Sequence, residues 1–177
     1  MPRLFVAILI PKEIIGKITD YQKKIKNLNI RLIKPENFHL TLVFLGQIRE
    51  KKIEIIKRIL KEIGEKYSSF FLEFRKIISG PDLKRPRLIW LEAENNEEIK
   101  EIWKAILEKF KREEIFFDEK SLRPHLTLAR TRGKELFGKK IEKEISLILP
   151  VKEIALMESK LKPTGAEYKI IEKFKLK

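Results

Sequence analysis

The sequence contains two histidines, and each opens the same tetrapeptide: His39-Leu40-Thr41-Leu42 and His125-Leu126-Thr127-Leu128. The copies lie 86 residues apart (125 − 39), so they are separate pieces of chain rather than one local motif. Threonine occurs five times in all. Two histidines each followed two places later by threonine is therefore a coincidence of about one in a thousand by composition. Neutral imidazole takes a proton near pH 7 and imidazolium gives one, because the ordinary pKa is about 6.5. Two imidazoles facing one phosphorus atom can act as general acid and general base. Threonine hydroxyls can donate hydrogen bonds to the non-bridging phosphate oxygens, whose charge shifts in the transition state. No nucleophilic side chain is needed when water or a ribose hydroxyl attacks.

One such tetrapeptide alone is ordinary strand filler. Its duplication, with histidine nowhere else, reverses that judgement. A metal centre is the weaker alternative. Two histidines and two threonines are a poor ligand set, no His-x-x-x-His or cysteine partner exists, and Glu36 is the nearest carboxylate to either copy.

The tetrapeptides need strands to work. In a strand alternate side chains share a face, so His39 and Thr41 point one way while Leu40 and Leu42 enter a core, and the second copy does the same. Strands are expected over 4–10, 38–45, 70–78, 88–93, 125–130, 145–149, 151–157 and 168–174. Three apolar stripes predict helices. The first follows Pro11 and carries Ile14, Ile18, Tyr21, Ile25 and Leu28. The second spans about 50–67. The third starts after Asn95 or Asn96 and carries Ile99, Ile102, Trp103, Ile106 and Phe110. The class is mixed α+β, with helices outside antiparallel sheets. The segment 134–143 is too short and basic to assign; it is a candidate loop or brief helix.

Composition bounds the rest. A chain of 177 residues with 43% hydrophobic content can bury one core, and a single domain over 1–177 is expected. The formal net charge of +14 favours phosphate, nucleic acid or an anionic surface. The absence of cysteine excludes disulfides, thiolate zinc sites, iron–sulfur clusters and cysteine nucleophiles. No apolar run approaches the roughly 18–20 residues of a membrane span, and the opening apolar run is broken by Lys12 and Glu13. A cytoplasmic, monomeric protein is expected. The 37% charged content, rich in Lys and Glu, resembles hyperthermophile usage.

The paired His-x-Thr-x motifs, half a chain apart, resemble those of the 2H phosphoesterase superfamily. The similarity is greatest to its LigT-like RNA 2',3'-cyclic phosphodiesterases, also called 2'-5' RNA ligases. It extends to Arg3-Leu4-Phe5-Val6-Ala7-Ile8, to Pro35-Glu36-Asn37-Phe38 before the first motif, and to Phe44-Leu45-Gly46 after it. It continues in Arg123-Pro124 and Ala129-Arg130 around the second motif, and in Ser159-Lys160-Leu161-Lys162-Pro163-Thr164-Gly165-Ala166-Glu167-Tyr168. The resemblance implies a bilobal, pseudo-two-fold fold with two antiparallel sheets around a central cleft. It implies hydrolysis of RNA 2',3'-cyclic phosphate ends to 2'-phosphates without metal or cofactor, with tRNA fragments among the candidate substrates, and reversible ATP-independent 2'-5' ligation as a second activity. His39 would protonate the departing 3'-oxygen, His125 would take a proton from water, and Thr41 and Thr127 would hold the phosphate. Arg130 matches a substrate-contacting arginine, yet strict alternation places it on the face opposite His125 unless the strand bulges or ends there.

Arg123, Arg132, Lys134, Lys139 and Lys140 are candidates for an RNA backbone track. Phe5 and Tyr168 could stack a base, with core packing the stronger expectation for both. Two other readings stay open: a basic RNA-binding module without catalysis, and a phosphoesterase acting on another cyclic phosphate or a 2'-5' linkage.

Overall fold

The three apolar stripes become three helices. Asn96 caps α3 (Glu97–Arg112) by accepting a hydrogen bond from the Ile99 amide. Glu97 and Glu98 sit in its first turn and Lys109, Lys111 and Arg112 in its last, matching the helix dipole at both ends. Helix α1 (Lys12–Lys23) follows Pro11, and α2 (Glu50–Lys66) turns Ile56, Ile59, Leu60 and Ile63 inward. The first stripe outruns its helix: α1 ends at Lys23, Ile25 is buried just beyond, and Leu28 lies outside the described residues. The computed structural model describes residues 1–25, 30–82, 84–131, 133, 136–137, 140–162 and 165–177. Arg132 and residues 134, 135, 138 and 139 of the unassigned segment fall outside these ranges.

The strands are β1 (Arg3–Leu9), β2 (Ile30–Leu32), β3 (His39–Gln47), β4 (Phe70–Gly80), β5 (Leu88–Ala93), β6 (His125–Thr131), β7 (Glu142–Val151), β8 (Glu153–Lys162) and β9 (Gly165–Lys175). A short 3₁₀ turn, Pro35–Asn37, delivers the chain to His39. The hydrogen-bonded order is β7-β4-β5-β6-β3-β1-β8-β9, with β2 added beside β6, and every pairing is antiparallel.

The two expected sheets are thus halves of one ladder, joined where β3 meets β6 at a single pair, Leu40↔Leu126. From that seam the order repeats outward: β3 and β6, then β1 and β5, then β8 and β4, then β9 and β7. A helix follows the second strand from the seam in each half, α1 after β1 and α3 after β5. This is the pseudo-two-fold arrangement, and its axis passes between Leu40 and Leu126. One continuous apolar core unites residues of all three helices with both halves of the ladder, Leu40 and Leu126 included. The opposite face of the seam carries the two motifs. Among the described residues no helix is long and apolar enough to cross a membrane.

Candidate active site

The seam pair fixes the geometry of the motifs. Leu40 and Leu126 are fully buried, so His39, Thr41, His125 and Thr127 turn to the other face. Antiparallel register about that pair sets His39 across from Thr127 and Thr41 across from His125. The four side chains form a square with the histidines on one diagonal. All four line one cavity of about 250 Å³, together with Ile33, Asn37, Phe44, Leu88, Arg130 and Tyr168.

The imidazoles are held alike. Nδ1 of His39 lies 2.8 Å from the Asn37 carbonyl oxygen, and Nδ1 of His125 lies 2.7 Å from that of Arg123. Each carbonyl sits two residues before its histidine. A carbonyl can only accept, so each Nδ1 carries the hydrogen and each Nε2 is left to exchange a proton with whatever occupies the cavity.

Their surroundings differ. His39 is wedged between Phe5, centroid at 5.1 Å, and Tyr168, whose ring stands nearly perpendicular to the imidazole at 4.7 Å. Burial among these rings pushes its pKa down to about 4, with Arg130 and His125 adding positive charge in the same direction and the Asn37 carbonyl opposing. His125 packs on Trp90 at 5.1 Å, and the Arg123 guanidinium covers the same indole at 4.8 Å. Arg123 Nε and Nη2 donate to one Glu92 oxygen at 3.0 and 2.8 Å, and Glu92 stands directly across from His125 in the β5–β6 register. The His125 pKa is also lowered, first by burial; the Arg123 carbonyl and the Glu92 carboxylate act upward and the arginines downward. On the other half Leu9 occupies the place across from His39.

Strict alternation fails at Arg130 for a visible reason. Thr127 pairs with Trp90 and Ala129 with Ile89, so Leu128 is an extra residue in β6. The same bulge recurs in β3: Thr41 pairs with Ala7 and Val43 with Val6, leaving Leu42 over. Two buried residues therefore follow each threonine, and the next residue swings onto the cleft face. That residue is Phe44 in one half and Arg130 in the other, and both line the cavity.

Several expectations are revised. Phe5 is buried beneath His39, as core packing requires, whereas Tyr168 is half-buried and forms part of the cavity wall. Glu36 is exposed on the 3₁₀ turn; the carboxylate beside a motif is Glu92. Arg123 and Lys140 are engaged with Glu92 and Glu142. Neither Phe44, read only as part of the stretch after the first motif, nor Arg31 was expected as a site residue. For Phe44 a signal existed, since it stands at the same offset from His39 as Arg130 does from His125. Among the described residues no group of three or more His, Cys, Asp or Glu side chains is placed to hold a metal ion.

Comparison with known proteins supplies an independent line. The family model for LigT-like phosphoesterases matches residues 8–90. An RNA 2',3'-cyclic phosphodiesterase of Methanocaldococcus jannaschii is 33% identical over 178 aligned residues, covering 97% of this chain and 99% of that protein. A crystal structure of a Thermus thermophilus protein superposes with a TM-score of 0.86 at 27% identity, over 98% of this chain and 97% of the other. Escherichia coli LigT, solved with 3'-AMP, shares the fold with a TM-score of 0.76 at 22% identity, over 99% and 98% of the two chains. Seam, cleft and full-length similarity agree: this chain belongs to the LigT-like family of 2H phosphoesterases, the RNA 2',3'-cyclic phosphodiesterases.

Proposed function

We propose that the cavity opens the 2',3'-cyclic phosphate at an RNA end to a 2'-phosphate. The observation that carries this is the square of two imidazoles and two hydroxyls on one cavity, with neither Nε2 hydrogen-bonded among the described residues. Water attacks phosphorus and gives a proton to His125 Nε2. The bond from phosphorus to the 3'-oxygen breaks, and that oxygen takes the proton from His39 Nε2. Thr41 and Thr127 donate to the non-bridging oxygens, and Arg130 adds a positive charge at the rim. A ribose 5'-hydroxyl in place of water yields a 2'-5' linkage by the same proton traffic, and its reversal exchanges the two histidines' roles.

The environment suits this direction of flow. His39 surrenders a proton to reach the neutral form that burial favours. His125 gains one beside Glu92, whose carboxylate supports the charge. Before substrate enters, His39 resists protonation, so its proton and the anionic phosphate have to arrive together, each neutralising the other.

The test is hydrolysis of a 2',3'-cyclic nucleotide in EDTA. His39→Ala and His125→Ala should each lower kcat by about 10²–10⁴. Retained turnover in either variant, or complete loss on chelation, overturns the proposal.

A further inference from the structure

A second hollow, of about 750 Å³, adjoins the catalytic cavity and shares Phe44, Arg130 and Tyr168 with it. Three arginines line it: Arg3 from β1, Arg31 from β2 and Arg130 from β6. Among the described residues no carboxylate does. Arg31 and Arg130 stand directly opposite one another in the β2–β6 register. Like charges in that position oppose pairing of the strands. Elsewhere four arginines are neutralised: Arg58 pairs with Glu113, Arg75 with Glu73 and Glu94, Arg112 with Glu108, and Arg123 with Glu92, while among the described residues Arg49, Arg85 and Arg87 stand singly outside the hollow. Among the described residues Arg3, Arg31 and Arg130 have no such partner. A juxtaposition that weakens the fold and is left uncompensated points to an anion from outside.

The rest of the hollow narrows the class of anion. Phe44 is 50% exposed although it sits in a strand, and the phenol-bearing ring of Tyr168 stands in the same wall. These are open faces for flat bases. Gly165, at φ +127°, has its backbone so close to the Arg31 guanidinium that a Cβ there would overlap Nη2. Charges at intervals beside aromatic faces suit a single strand of nucleic acid, whose phosphates repeat along the chain while its bases stack without regard to sequence.

We propose that this groove binds the ribose–phosphate backbone and bases of the RNA nucleotides that precede the terminal cyclic phosphate. The inference rests on the phosphodiesterase reading for its polarity: the cyclic phosphate closes the 3' end, so the groove receives the strand on its 5' side. Oligoribonucleotides are then bound better than mononucleotides bearing the same end. The track runs from the catalytic cavity over β6, β2 and β1, away from Arg123 and Lys140, which are already paired.

The experiment compares a 2',3'-cyclic mononucleotide with a short single-stranded RNA ending in the same group, for the wild type and the double variant R3Q/R31Q. Neither position lines the catalytic cavity. The wild type should show a higher kcat/KM on the oligonucleotide. The double variant should raise KM for the oligonucleotide about tenfold and leave the mononucleotide unchanged. Binding of a fluorescent RNA bearing a 2'-phosphate end should lose about 1.4 from the slope of log K against log salt, two contacts at about 0.7 each for a single strand. R58Q/R112Q, which removes the same two charges from α2 and α3, away from the hollow, should leave that slope alone. Equal effects on both substrates, no effect on the oligonucleotide, or an unchanged salt slope overturns the groove. Absence of turnover on both substrates defeats the phosphodiesterase reading instead, and the binding slope still decides the groove.

Discussion

Because the chain has two histidines, its imidazole titration can be followed without ambiguity. The proton NMR spectrum should contain two Cε1–H signals, and His125→Ala leaves that of His39 alone. In the free protein that signal should titrate near 4 rather than 6.5. The displacement corresponds to about 3 kcal/mol between the protonated and neutral forms. Burial supplies most of it, so removing the charge of His125 should raise the value only slightly. Inorganic phosphate is the decisive perturbation. An anion in the cavity offers the imidazolium the partner that the aromatic wall denies it, and the His39 pKa should rise on saturation. The enzymatic counterpart follows with its sign fixed. The proposed mechanism needs one imidazole neutral and one charged, and both free-enzyme values lie below 6.5, so kcat/KM should fall as pH rises above that point. The alkaline limb of kcat, measured on the substrate complex, should lie at higher pH. Both limbs describe the coupled pair. A His39 signal that titrates near 6.5 in the free protein, or one that phosphate leaves unmoved, refutes the claim that burial sets its proton affinity.

Other outcomes follow from the same geometry. Thr41→Val and Thr127→Val remove one donor each and should cost about 10²–10³ in kcat, measured on a cyclic nucleotide, with little change in melting temperature. Arg130→Gln should raise KM and move the His39 titration upward, since its charge lowers that pKa; an unmoved titration would place the guanidinium away from the cavity. Leu40→Ala and Leu126→Ala should each destabilise the fold by about 2–5 kcal/mol in urea unfolding, because each empties a fully buried site at the seam. Stability should also fall as pH drops from 6.5 towards 4, where the unfolded chain binds a proton that buried His39 refuses. That contribution is at most about 3 kcal/mol, and His39→Gln should flatten the slope.

What the sequence disclosed was whatever depends on local pattern. The helices showed as apolar stripes, the strands of both motifs as alternation, and the candidate chemistry as a duplicated tetrapeptide. Three features were hidden because they depend on contacts between distant segments. The bulges at Leu42 and Leu128 are visible only against β1 and β5, so alternation carried through them misplaces Arg130 and conceals Phe44. Strand β2 is three residues long and exists through its pairing with β6, so no periodicity could announce it or the role of Arg31. Glu92 is 33 residues before His125 in the chain (125 − 92), and only the β5–β6 register brings it alongside.

The symmetry of the backbone makes the asymmetry of the side chains informative. Both halves present the same scaffold at the seam: a histidine locked through Nδ1 by the carbonyl two residues earlier, a threonine, a bulge, and a residue turned back to the cleft. Hydrolysis of a cyclic diester has no such symmetry, since one oxygen leaves while another arrives. The difference has to come from the walls. On one side an apolar clamp of Phe5 and Tyr168 makes His39 a poor holder of a proton and hence a strong acid once charged. On the other, Glu92 and the indole of Trp90 give His125 a polar edge where charge is better tolerated. The same contrast holds at the positions after the bulges, where one half presents the exposed ring of Phe44 to the cavity and the other the guanidinium-bearing Arg130. On the proposed mechanism a duplicated frame thus supplies two equivalent imidazoles, and their unlike neighbours assign them opposite work. If Glu92→Leu, which copies the Leu9 environment onto the second half, leaves the pH profile of kcat/KM unchanged, the neighbours do not make that assignment and the distinction must lie in how the substrate itself is oriented.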